Sequence, residues 1–344
     1  MYFYILFILL IVLFMGNYTF NGQPKAQYLT NIGLGIIILV SILRFDVGWD
    51  YPSYYLDIYP VLDPISIAKY EPLNRVIYHI TDYFRWPPLL FIIYGLLTYG
   101  LVFSTLKKYT PNLFLATLTY LAFFYNTSLG PIRQGLALGI VLYAYRYLIT
   151  RAYLKYFIAI VIAGMFHLTA FTGLLIPFLF YLMTPVRMII LLIVTILGYK
   201  YALTIISEYM GYATYLANVD EYSGGTLISL AYPIVIFSLC ILTWKNKDLI
   251  AQRLTYVTIF GALCPFLLGG HIGGRIGWYF LIYLCILVPR ALKHQKASTR
   301  TTYAGLFVGY FLLYVFITTL NPVKQPLTPY QSILTTNIDP PIFK

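Results

Sequence analysis

Apolar runs long enough to cross about 30 Å of hydrocarbon recur along this chain. They lie near residues 1–19, 27–44, 86–106, 111–127, 132–149, 152–167, 168–183, 186–205, 226–243, 250–268, 275–292 and 301–320. Inside a bilayer the backbone has no water to bond, so such segments must be helices or a closed barrel. Continuous runs without apolar–polar alternation select the helix. The expected fold is therefore all-α: a polytopic integral membrane protein of about twelve transmembrane helices. They would form a single domain over residues 1–320, followed by a short tail at 321–344. Between 152 and 183 the pattern allows one long helix or two short ones broken around His167.

Sidedness follows from charge. Only 10% of side chains are charged, which leaves no room for an ordinary soluble domain. The first run has no Lys or Arg ahead of it, so it reads as a span with its N-terminus outside rather than a cleaved signal peptide. Counted from there, the cytoplasmic loops hold fourteen cations against one acid, Asp248, and the exterior holds nine cations and ten acids. That asymmetry obeys the positive-inside rule. It makes both termini and the loops 45–85, 206–225 and 269–274 extracytoplasmic. The net charge of +12 is then a topological signal and gives no reason to expect a nucleic acid. Cys240, Cys264 and Cys285 fall within apolar runs without ligand spacing and read as small buried hydrophobes. No metal or cofactor is expected. Walker, dinucleotide, HExxH and GxSxG motifs are all missing, which removes nucleotide-driven transport and triad hydrolysis from consideration.

Ionisable groups at membrane depth cost about 2.5–3.5 kcal/mol even on insertion scales, so those at the outer span ends need a reason. Arg44-Phe-Asp46-Val-Gly48-Trp49-Asp50-Tyr51-Pro-Ser-Tyr54-Tyr55 leaves the second span. Its Arg offers a planar fork suited to phosphate oxygens. Asp50 stands close enough in sequence to orient that Arg or to act as a base, while Trp49, Tyr51 and Tyr54 could stack on sugar rings. Gly130-Pro131-Ile-Arg133-Gln134-Gly135 opens the fifth span, where helix N–H groups favour an anion. His167 ends the sixth span. Gly269-Gly270-His271-Ile-Gly273-Gly274-Arg275 precedes the eleventh, and its glycines could form an anion-binding nest beside Arg275.

Several arginines on separate spans suit a diphosphate, and in a membrane the obvious diphosphate belongs to a lipid carrier. At these residues the chain resembles the EpsG-type polysaccharide polymerases, relatives in role of the Wzy O-antigen polymerases. Arg44 to Tyr55 resembles their R-x-x-x-G-x-D-Y-x-x-Y signature. Ile132-Arg133-Gln134-Gly135-Leu-Ala137, Phe166-His167 and Gly274-Arg275 with Tyr279 follow in the same order. The resemblance implies a GT-C-like bacterial inner-membrane glycosyltransferase facing the periplasm or cell exterior. It would join polyprenyl-diphosphate-linked oligosaccharide donors and acceptors into O-antigen, capsule or exopolysaccharide. A chain-length regulator protein is a partner the resemblance allows.

On this reading Arg133, Arg275 and Arg44 hold the diphosphate, Arg44 also being able to orient Asp50, and Asp50 or His167 serves as base. Arginines carrying that charge make a metal unnecessary. A flippase for lipid-linked oligosaccharide and a membrane O-acyltransferase are the rival classes. A flippase would carry charge down a path to both faces, and an acyltransferase has no need for so many outer arginines.

Overall fold

Proline opens several of the early helices, because its missing N–H and fixed φ suit a first turn. The computed structural model describes residues 6–11, 15, 24–58, 62–184, 186–191, 193–194, 198, 231–244, 248–268, 270–320 and 329–335. Loop 206–225 and parts of the expected spans 1–19 and 186–205 lie outside the described residues. The chain divides into two compact units, residues 1–168 with 305–344 and residues 169–304.

In the first unit α1 (Pro24–Ile42) leads into β1 (Arg44–Phe45). Three short helices then fold the 45–85 segment: α2 (Tyr51–Leu56), α3 (Pro64–Ala68) and α4 (Pro72–Tyr83), each with Pro in its first turn. α4 buries Asn74, Ile77, Tyr78 and Thr81, the i, i+3, i+4, i+7 stripe of a one-sided helix. Its other face exposes Val76, Ile80 and Tyr83.

α5 (Pro88–Tyr109) is 22 residues of mostly apolar helix, closed by Lys107 and Lys108 in its last turn, where cations complement the helix dipole. α1 and α8 (Ile132–Tyr143) both pack against it. Before α8 come α6 (Leu113–Phe123) and α7 (Tyr125–Leu129). Asn112 caps α6 by accepting from the Leu115 N–H at 3.0 Å. The helices turn sharply at Gly130-Pro131, and Gly135 permits it: a Cβ there would stand 2.8 Å from Ser128 Cα.

After α9 (Tyr145–Ile149), α10 (Tyr153–Gly164) ends before His167. Of the two alternatives open for 152–183, the chain therefore takes the broken one. α10 presents Leu154, Phe157, Ile158 and Ile162 outward. Keeping each such side chain from water is worth about 1.5–3 kcal/mol, so this face belongs in lipid.

In the second unit a 3₁₀ segment (Leu168–Leu175, its first residue belonging to the first unit) runs into α11 (Ile176–Leu182). α12 (Ala231–Trp244) and α13 (Leu249–Leu267) follow as a hairpin. Asp248 caps α13 through the Ile250 and Ala251 N–H groups at 3.0 and 3.2 Å, and its other oxygen lies 2.6 Å from Arg290 Nε. α14 (Gly270–Leu281) and α15 (Leu284–Lys293) form one apolar stretch, bent by 43° between Ile272–Leu281 and Leu284–Lys293. α16 (Ala297–Leu320) passes from the second unit into the first. There Phe311 meets Phe123 edge-on at 5.3 Å. Finally β2 (Gln331–Ser332) pairs antiparallel with β1, and Tyr330 donates to Val40 O at 3.0 Å. Residues 330–332 therefore lie against the Arg44 segment.

Among the described residues the fold is all-α apart from these two-residue strands. By length and composition two described helices can cross a membrane, Pro88–Tyr109 and Ala297–Ile317, and a third if the bent α14–α15 pair counts as one span. Six further apolar helices of 10–17 residues are shorter than a crossing. The expected runs 111–127 and 132–149 are each split, at Phe124 and at Ala144.

The loop expected at 269–274 is corrected: the chain is already helical from Gly270. Gly273 serves close helix packing, since a Cβ there would stand 2.1 Å from the Cys264 carbonyl oxygen of α13. An anion nest of the expected kind needs left-handed residues alternating with right-handed ones, and residues 270–274 are helical with no positive φ among them. Gly269 and the side chain of His271 lie outside the described residues. The three cysteines are free, Cys264 and Cys285 buried within apolar helices.

Candidate functional site

Arg44 sits where two helices end. The last carbonyls of a helix lack partners, and this guanidinium supplies donors for them. Its Nη1 donates to Ser41 O at 2.7 Å at the end of α1, and its Nη2 to Leu129 O at 3.0 Å at the end of α7. Nε donates to Val47 O at 3.0 Å and so folds the turn beyond β1. Gly48 completes that turn with φ +111°, and a Cβ there would stand 2.4 Å from the same Leu129 oxygen. The stacked rings of Phe91 and Tyr51 lie beside the charge, their centroids 5.4 and 6.0 Å from Cζ. At 2% exposure the guanidinium is shielded from an external anion. In this arrangement Arg44 braces three backbone carbonyls.

Tyr51 likewise offers no free face for a sugar: it is fully buried and stacked on Phe91 at 3.8 Å. Trp49 is exposed, at 62%. Asp50 holds the N-cap position of α2 without capping it by its side chain.

Arg133, in the first turn of α8, is differently placed. Its Nη1 lies 2.6 Å from Glu71 Oε2. Its guanidinium stands 4.2 Å from the ring centroid of Tyr70 and 5.9 Å from that of Tyr54, and it hydrogen-bonds Tyr54. Its Nε is buried with no hydrogen-bond partner among the described residues. Buried guanidinium donors are costly to leave unmatched, so this atom marks where an anion would add a bond.

Glu71 explains how the site is assembled. It occupies the N-cap position of α4 but makes no side-chain cap there. Instead Oε2 also accepts from Asn74 Nδ2 at 2.8 Å, and Oε1 accepts from the Leu168 N–H at 3.1 Å. Asn74 continues inward, donating to Phe166 O at 2.8 Å and accepting from the Tyr94 hydroxyl at 2.5 Å. One carboxylate therefore ties the Arg133 turn to the Phe166-His167-Leu168 turn. Two of the segments singled out by sequence are brought together in the first unit through a residue that was not. His167 itself is buried at 6%. Arg275 belongs to the second unit, on α14, and the same helix carries Tyr279, whose buried hydroxyl accepts from Thr169 Oγ1 at 3.3 Å.

Asp57, at the C-cap of α2, was also passed over by sequence reasoning. Its Oδ2 accepts from the hydroxyls of Tyr70 at 2.5 Å and Tyr78 at 3.4 Å. Burial lifts this carboxyl above the ordinary aspartate range, while the two tyrosine hydrogen bonds and the Arg133 charge act against that rise. Tyr70 is fixed in turn by Arg75, which donates to Tyr70 O at 2.6 Å and to Ala68 O at 2.8 Å. The sequence signal for this group was the Tyr70-Glu71-Pro72-Leu-Asn74 run, which joins a helix start to an acid and an amide one turn apart.

No match was found among curated proteins or among solved structures. A family model, described as EpsG family, matches residues 27–332 of the 344. That span contains all four motifs and the Arg133–Glu71 cluster, and the chain belongs to the EpsG family, membrane proteins of polysaccharide biosynthesis.

Proposed function

We propose that this chain is a polysaccharide polymerase, a membrane glycosyltransferase that joins polyprenyl-diphosphate-linked repeat units on the outer face of the bacterial inner membrane. The family match over residues 27–332 carries the reading. In the proposed reaction a sugar hydroxyl of one lipid-linked unit attacks the anomeric carbon of another, and polyprenyl diphosphate departs. Charge grows on that leaving group, and a preorganised guanidinium in a poorly solvated site stabilises it. Arg133 supports this role with its buried, unmatched Nε and its fixed aim along Glu71. Arg275 is the proposed second cation on the diphosphate. Asp50 and His167 are the bases nominated by sequence, and exposed Trp49 is the sugar contact, whereas Tyr54 is buried beside Arg133. Guanidinium groups carrying the diphosphate charge leave no step that needs a metal. Twelve crossings, a GT-C-like arrangement and a site facing the periplasm or cell exterior complete the proposal.

Purified protein supplied with lipid-linked repeat units should lengthen them, giving a ladder on a gel. Movement of the lipid-linked unit across a vesicle membrane without lengthening would favour a flippase, and acyl transfer to sugar would favour an acyltransferase. Sidedness has its own test. Cysteines placed at 62–70 or 206–225 should react with an impermeant thiol reagent in intact cells, and those at 107–110 or 293–299 should not. Labelling of the second set alone would reverse the orientation and remove the outer-face reaction.

A further inference from the structure

Between Arg133 and Asp57 stands a single tyrosine. The Tyr70 ring carries the guanidinium against its face, with the centroid 4.2 Å from Cζ, and the Tyr70 hydroxyl donates to Asp57 Oδ2 at 2.5 Å. Tyr78 donates to the same oxygen. Asp57 Oδ1 has no hydrogen-bond partner among the described residues, and the residue is partly exposed. One oxygen is thus anchored and the other is open, one ring's width from the Arg assigned to the leaving diphosphate. A glycosyl transfer with an external hydroxyl as nucleophile needs a base standing apart from the leaving group, with room for the acceptor between them. Glu71 is a poor choice, because three donors converge on its two oxygens and hold its lone pairs.

We propose that Asp57 is the general base of the polymerisation, taking the proton from the acceptor sugar hydroxyl at Oδ1. The inference rests on the polymerase reading. In the step, the acceptor oxygen forms the new bond to the anomeric carbon as its proton passes to Asp57. The bond from that carbon to the diphosphate oxygen breaks, and its electron pair leaves with polyprenyl diphosphate toward Arg133. Asp57 then returns the proton to water. The groups facing this carboxyl are the hydroxyls of Tyr70 and Tyr78, the Asp63 carboxylate and the Arg133 guanidinium. Burial makes Asp57 a stronger base than an exposed aspartate. Loss of the Tyr70 hydroxyl, which pulls the other way, should make it stronger still.

The test uses full-length protein in lipid, with lipid-linked repeat units as donor and acceptor. Asp57→Asn keeps an oxygen for both tyrosines but cannot take a proton. It should slow chain growth by about 10²-fold or more, hold donor binding near the wild-type value, and lose the rise of rate with pH on the acid side. Tyr70→Phe keeps the ring under Arg133 and should move that acid limb to higher pH. Chain growth by Asp57→Asn within a few-fold of wild type, or an acid limb unmoved in Tyr70→Phe, would overturn the assignment. Should Asp57→Asn fail to bind donor, the Tyr70→Phe profile decides alone. If wild type lengthens nothing, the polymerase reading falls and takes this proposal with it. Failure of Asp57 alone would instead leave an active wild type beside an active Asp57→Asn.

Discussion

Arg133→Ala should slow chain growth about 10²-fold, the equivalent of losing about 3 kcal/mol of transition-state stabilisation, while the amount of folded protein falls far less. The two effects separate because Arg133 lies on the margin of the first unit, with side-chain exposure of 20% and its Glu71 partner at 18%. Removing it leaves Glu71 still bonded to Asn74 and Leu168, so the turns it joins keep their tie. Arg133→Lys should recover only part of the rate. A point charge can reach Glu71 or a phosphate, but it cannot hold Glu71 through one prong and present others to an anion. The measurement is polymer length and amount on a gel, with membrane protein quantified in parallel. Normal polymer from well-expressed Arg133→Ala protein would take this residue out of the chemistry. It would then be an Arg whose task ends at Glu71 and the tyrosine faces.

What the sequence made legible was periodic or local. The run at 86–106 became α5, with the two lysines that end it, because a long apolar stretch flanked by Pro and Lys has few other outcomes. The break at His167 was visible as a weak point in the apolar pattern. The glycines before Arg275 were misread because the same residue serves opposite needs: it permits a tight turn or lets two helices touch. The four-residue step from Gly273 to Gly277 was the available hint of one helix face, and each would place a Cβ against the backbone of α13.

The candidate site was only half legible. Arg133 and His167 stood out because ionisable residues at span ends are conspicuous. Glu71 did not, since an acid just ahead of a Pro-started helix reads as a local cap. Its actual bonds run to residues 62 and 97 positions away. Within Trp49-Asp50-Tyr51, sequence could not say which aromatic turns inward. Packing against Phe91 settles it for Tyr51 and leaves Trp49 outside.

Arg44→Ala should cost the protein its stability before its chemistry. The guanidinium satisfies carbonyls at Ser41, Val47 and Leu129, and hydrogen bonds to a charged group contribute about 1.5–3 kcal/mol each. Truncation leaves those carbonyls unmatched and opens a hole beside the stacked Phe91 and Tyr51 rings. The combined effect should reach about 3–5 kcal/mol, the upper end for a single change, because a buried network and a cavity are lost together. Arg44→Lys retains the charge but can serve only part of the three-way set, so it should fall in between. The readouts are the melting temperature of the detergent-extracted protein and the fraction eluting as a single species. Chain growth is then expressed per folded molecule. Both variants should lose folded protein, and the fraction that folds should keep most of its turnover and its affinity for the lipid-linked donor. A fully stable Arg44→Ala protein that no longer binds donor would return this residue to the diphosphate. In that case the carbonyl bonds would describe only a resting arrangement from which the side chain swings out to the substrate.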